Sequence, residues 1–184
     1  MKTVPRLWCA TLLLAAFGAS ALAQIKSFTL AEMVDTADTA VYGQIVAAHV
    51  IRADSAIDGP ELYYTTLTLQ GRTLADNRPI TVDVTFRGGF VSPTEGVFNS
   101  EAPAADDVQV GKRVVAFYRW SDDLGGGVAA NALVAAHGGI YRTVEGPNGP
   151  AVLGRGTGYA VSANVRLEQL ASAVHLLASN KPKR

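Results

Sequence analysis

Between residues 39 and 153, this 184-residue chain repeats one pattern. Short runs with a two-residue hydrophobic period are separated by turn residues, and no long helical stripe intervenes. The clearest run covers residues 80–87, where Ile80, Val82, Val84 and Phe86 alternate with Thr81, Asp83, Thr85 and Arg87. Successive strand side chains point to opposite faces, so this run predicts a strand with one wet face. Further strands are expected over 39–51, 62–74 and 112–120. Residues 128–136 and 139–144 read as one or two more, broken at His137-Gly138, with a short return at 151–153. Gly43, inside the first strand, marks a bulge or a point of close backbone approach. Asp58-Gly59-Pro60, residues 75–79 and residues 145–150 read as turns, and Gly125-Gly126-Gly127 as a flexible one. Residues 88–110 carry Pro93, Gly96 and Pro103 without a sustained period, which predicts a long loop with at most one short extra turn.

Helical spacing occurs only toward the two ends. Thr29-Leu30-Ala31-Glu32 forms a capping box, and Leu30, Met33, Val34 and Ala37 then share one face of a helix expected over 27–38. Residues 165–179 place Leu167, Leu170, Ala171, Val174 and Leu177 on one stripe, with Asn164 as the expected N-cap. Lys181-Pro182-Lys183-Arg184 is a solvated basic tail. Strand runs flanked by helices predict a mainly β fold: a small antiparallel OB-like barrel, one domain over residues 24–180, with a short N-terminal helix and a C-terminal helix.

The first 23 residues have the three parts of a secretory signal peptide. Lys2 and Arg6 are the positive start, an apolar stretch runs from Leu7, and Ala21-Leu22-Ala23 places cleavage before Gln24. The stretch is shorter than the ~20 strongly apolar residues of a spanning helix. The expected address is periplasmic or secreted, with no stable membrane insertion after cleavage. Removing the leader takes Lys2, Arg6 and Cys9 with it, so the mature chain has no cysteine and two more acidic than basic groups. Such a domain is held by its core alone, without disulfides. No Asn-x-Ser/Thr sequon occurs, which fits a bacterial exported protein. A formal net charge of zero leaves no basic footprint for nucleic acid.

Ala37-Asp38-Thr39-Ala40-Val41-Tyr42-Gly43-Gln44-Ile45 resembles the opening strand of the netrin-like and tissue-inhibitor-of-metalloproteinases OB domains. Leu67-Thr68-Leu69-Gln70-Gly71, the 80–87 strand and Val110-Gly111-Lys112-Arg113-Val114-Val115-Ala116-Phe117 follow in similar order. The likeness covers residues 37–141 and implies a barrel. It does not extend to mechanism: those inhibitors place an N-terminal cysteine on the protease zinc, and this mature chain has none.

Most reactive chemistry lacks its residues. There is no Gly-x-Ser-x-Gly elbow for a nucleophile, and His49, His137 and His175 are scattered without His-Glu-x-x-His spacing. Gly154-Arg155-Gly156-Thr157-Gly158 suggests a phosphate cradle but lacks the strand-loop-helix setting and the Lys-Ser/Thr ending, so it reads as hairpin or linker glycine. Asp106-Asp107 and Asp122-Asp123 read as surface solubility, and Trp120 as packing at a strand end. No catalytic, cofactor-binding or metal-ligating residue is assigned. Phe90 and Phe98 remain: aromatics in a long loop either anchor a partner or fold back to plug the barrel end. The expected function is an exported, non-enzymatic binding module for a protein partner, with Phe90 and Phe98 as its contacts. The alternatives are an accessory or inhibitory partner of an exported protease, and a small enzyme using His137 with an acidic neighbour.

Overall fold

The computed structural model describes residues 27–53 and 61–181. The leader and its cleavage point, the 54–60 turn and the last three residues of the tail lie outside them. In chain order the elements are α1 (Leu30–Thr36), β1 (Thr39–Ala53), β2 (Leu62–Thr73), β3 (Pro79–Arg87), β4 (Gly89–Ser92) and β5 (Glu95–Val97). After them come β6 (Arg113–Ser121), β7 (Ala130–Leu133), β8 (Ile140–Gly146), β9 (Gly149–Val152), β10 (Val165–Arg166) and α2 (Leu167–Ser179).

Five of these strands close on themselves. β1 pairs antiparallel with β2 on one edge and with β6 on the other, β2 pairs with β3, and β6 with β7. The ring is completed where β3 meets β7 in parallel, through the single pair Thr85↔Ala132. The Asn131 side-chain amide crosses the same seam and donates to the Asp83 carbonyl at 3.0 Å. The result is the expected mainly β, OB-like barrel, flanked by one short helix and one C-terminal helix. β8, β9 and β10 extend the sheet beyond the ring from the far edge of β6.

Strand β6 explains the layering. Its sequence is apolar at every position from Val114 to Tyr118, and all five residues are buried. Val114, Ala116 and Tyr118 face the barrel interior with Val41, Ile45 and Leu67. Val115 and Phe117 face outward, into a second core with Met33 of α1 and Leu170 and Val174 of α2. The helices thus cover one side of the barrel, and each presents the stripe read from its spacing. The Thr29–Glu32 capping box is formed, with Thr29 Oγ1 accepting from the Glu32 amide at 3.2 Å and the Thr29 amide donating to the Glu32 carboxylate at 2.8 Å.

Gly43 proves to be a close approach, and the bulge falls just beyond it, between Ile45 and Ala47. Opposite Gly43 stands Gly71, where a Cβ would lie 2.0 Å from the Tyr42 carbonyl oxygen. Neither position has room for a methyl group, so the two strands cross backbone to backbone and the ring can turn tightly.

Several local readings are corrected. Asn164 does not cap α2: its side chain accepts from the Gly154 amide at 2.9 Å, and Val165 and Arg166 are held extended by pairing with β9. The helix starts at Leu167, without a side-chain cap. Trp120 is not packed. It is 54% exposed beyond the covered part of β6, with its indole donating to Asp122 at 2.8 Å. The glycine turn after β6 is organised by Asp123, which accepts from the Gly125 amide at 2.6 Å. Thr85 is buried despite lying on the face read as wet, because its hydroxyl pairs with that of Thr66 at 2.9 Å. Among the described residues, no helix is long and apolar enough to cross a membrane.

Candidate functional site

Residues 88–110 form more than a loop. Gly88 and Gly89 turn the chain out of β3 with φ of 97° and 137°, and β4 and β5 then make a short hairpin with Phe90 opposite Gly96. A side chain at Gly89 would lie 2.4 Å from Thr65 Oγ1, so glycine lets the hairpin sit against β2. The hairpin is moored at both ends. Thr65 Oγ1 donates to the Gly88 carbonyl at 2.6 Å, and Asn99 Nδ2 donates to the Arg87 carbonyl at 3.1 Å. Glu95 pairs with Arg52 of β1 at 3.1 Å, and Arg52 also pairs with Glu61. The Tyr63 hydroxyl donates to Glu61 at 3.0 Å. Its pKa is raised, first by burial and then by that carboxylate.

Polar anchoring of this kind leaves the aromatics outside. Phe98 is 80% exposed and Phe90 53%, with Val91 and Val97 partly exposed beside them. The two phenylalanines therefore do not plug the barrel. They stand on the rim of a groove of about 530 Å³, which Phe86, Pro103 and Val108 also line. The groove is mostly apolar, and its size falls within the ~300–1,000 Å³ typical of ligand sites.

His137 and Arg155 line the same groove. His137 sits in a tight turn entered through Ala135 and Ala136, two non-glycine residues at φ of 52° and 48°. Such backbone costs on the order of 1–3 kcal/mol per residue and is kept only where the surroundings enforce it. Here His137 supplies part of that enforcement. Its Nδ1 lies 3.1 Å from the Glu101 carbonyl, and its Nε2 lies 3.0 Å from the Tyr159 hydroxyl. The carbonyl can only accept, so Nδ1 donates to it, and Nε2 meets the Tyr159 hydroxyl, which can either donate or accept. Among the described residues, no carboxylate is hydrogen-bonded to His137, and Glu101 reaches it through its backbone carbonyl. The other histidines stand apart, His49 exposed on β1 and His175 at 2.6 Å from the Ala75 carbonyl.

Asp107 was read as a solubilising surface residue, and this is corrected. It is buried, and accepts from Arg155 Nη2 at 2.7 Å and from Arg142 Nε at 3.0 Å. Arg155 also donates through Nε to the Ile140 carbonyl at 3.1 Å and lies 5.9 Å from the Tyr141 ring centre. Burial pushes the Tyr141 hydroxyl pKa up. Two guanidinium groups around one carboxylate fix the groove wall to β8 and leave this cluster with an excess positive charge. The glycines around Arg155 shape no phosphate cradle, because the 155 and 156 amides are spent on the 161 and 162 carbonyls.

Sequence reasoning singled out Phe90 and Phe98 but missed Asp107, Arg142 and Arg155. Lone charged residues 35 and 48 positions from their partner have no local signature; only the fold brings them together. Among the described residues, no group of three or more His, Cys, Asp or Glu could hold a metal ion. No protein-family model, curated protein or solved structure matches this chain.

Proposed function

We propose that the protein is an exported, non-enzymatic binding module that holds a protein partner at the β4–β5 hairpin, in the periplasm or outside the cell. The leader-like residues 1–23 support the address. The observation that carries the binding role is the exposure of Phe98 on a moored hairpin beside an apolar groove. Large aromatics clustered in the open are the usual anchors of protein interfaces, because they bury much area for little lost freedom. His137 fits this reading as a structural residue, since both of its ring nitrogens serve to hold the groove together.

The test is a double substitution, Phe90→Ala with Phe98→Ala, in the tagged exported protein. Partner recovery by crosslinking in the cell should fall at least tenfold, while the thermal midpoint stays near that of the parent. An unchanged crosslinking pattern would sink the reading, and a large drop in midpoint would assign the two rings to the core instead.

A further inference from the structure

The groove has one charged lining residue among those described, Arg155, and no acidic side chain lines it. Asp107, the carboxylate nearest in the structure to Arg155, is already shared between two guanidinium groups. The neighbouring Asp106 accepts from the Gln109 amide at 3.2 Å. Arg155 uses Nε and Nη2 and keeps its Nη1 without a partner among the described residues. The walls, by contrast, are Phe86, Phe90, Val97, Phe98, Pro103 and Val108. An apolar trough with a single cationic residue calls for an occupant that is greasy along its length and anionic at one point.

The exposed rim adds apolar area to that of the trough. A buried phenylalanine covers roughly 150–250 Å², so Phe98 and Phe90 together present on the order of 250 Å². With Val91 and Val97 the apolar patch reaches on the order of 400 Å². An extended segment lying along the trough would use the walls and the rim together.

Resting on the binding role proposed above, we infer that the groove receives the C-terminal segment of the partner, with apolar side chains along the phenylalanine rim and the terminal carboxylate at Arg155. Capture of a chain end by charge and hydrogen bonding is a general mode of peptide recognition, and a free carboxylate can accept from the one guanidinium nitrogen, Nη1, that Arg155 has left. A carboxyamide offers the same side chains without the charge, and so isolates the contribution of Arg155.

The experiment uses a fluorescein-labelled Ser-Gly-Leu-Val-Leu peptide with a free carboxylate, the same peptide as its carboxamide, and decanoate, whose own binding is followed by titration calorimetry. Fluorescence polarisation with the purified chain should show the acid binding at least tenfold more tightly than the amide. Phe98→Ala should weaken both forms by a similar factor, and Arg155→Gln should abolish the difference between them. Because Arg155 also holds Asp107, that variant needs a normal unfolding midpoint. If it does not fold, the acid-to-amide ratio of the parent must shrink between 50 and 500 mM salt. Equal binding of acid and amide, still sensitive to Phe98→Ala, overturns the carboxylate assignment and leaves the binding surface standing. Binding of decanoate to the purified chain by titration calorimetry, with neither peptide binding, overturns the peptide assignment in favour of a free fatty acid. If neither peptide nor decanoate binds, the inference is overturned, and the binding role then depends on the crosslinking result alone.

Discussion

Phe117 and Phe98 are the same residue type, 19 positions apart, with opposite surroundings. Phe117 is fully buried on β6, edge-on to Tyr141 at 6.3 Å, in the layer between barrel and helices. Phe98 stands almost entirely in solvent. The difference lies in what fixes the local backbone. β6 has strands on both edges and covered faces on both sides, so its side chains hold the fold. The hairpin is fixed by Thr65, Asn99 and the Arg52–Glu95 pair, so its rings contribute little to stability and remain available for contact. The side chains that hold the fold and the exposed rings thus lie in separate layers of the molecule.

Four substitutions can break or sharpen that contrast. Phe117→Ala should have the largest effect, about 3–5 kcal/mol of destabilisation in urea unfolding, because it removes a ring from a close-packed layer. A loss below 1 kcal/mol would show that the outer core is loosely packed. Asp107→Ala comes next, at about 2 kcal/mol. Two arginines lose their shared partner, but Arg142 is half exposed and water offsets part of the loss. The same denaturation curve measures it, and a neutral outcome would reduce the cluster to a surface ion pair.

A smaller effect concerns acid. Asp76 is held below the ordinary carboxylate range chiefly by the Thr73 hydroxyl, against some burial, and with help from Arg78 at 2.5 Å. A lowered folded-state pKa adds stability that is present above the unfolded value and fades as pH falls through the folded one. Thr73→Val should therefore flatten the acid limb of a midpoint-against-pH curve between about pH 5 and 2, leaving a smaller offset near neutrality. An acid limb identical to that of the parent would remove Thr73 from that role. The smallest stability change belongs to Phe98→Ala, within about 0.5 kcal/mol. A loss as large as that of Phe117→Ala would erase the distinction between the two layers.

The parts of the fold legible in sequence are those written locally. Ile80 to Phe86 alternate because one face of β3 meets the core, and Thr29 and Glu32 cap α1 across three residues. The apolar run of β6 was read as a strand, but burial on both of its faces depends on helices from opposite ends of the chain. The β4–β5 hairpin escaped notice because strands of four and three residues are too short to show a period. Asn164 misled for a related reason. A good capping residue stands there, yet pairing of Val165 and Arg166 with β9 delays the helix and diverts the amide to Gly154. Of the candidate site, the aromatic rim was visible as aromatics in an irregular stretch. Its charged wall was not, because contacts between residues 107, 142 and 155 arise only once the sheet is built.

The closure of the ring has a consequence for how the molecule breathes. Four of its junctions are ladders of several residues, whereas the fifth rests on Thr85 against Ala132 and the Asn131 amide. A cylinder built in this way has a clasp. Of the five junctions, that one should show the fastest hydrogen exchange, and the wall should part there first under strain. Phe86, next to Thr85, lines the groove, so the groove lining and the weakest join of the barrel are neighbours in one strand.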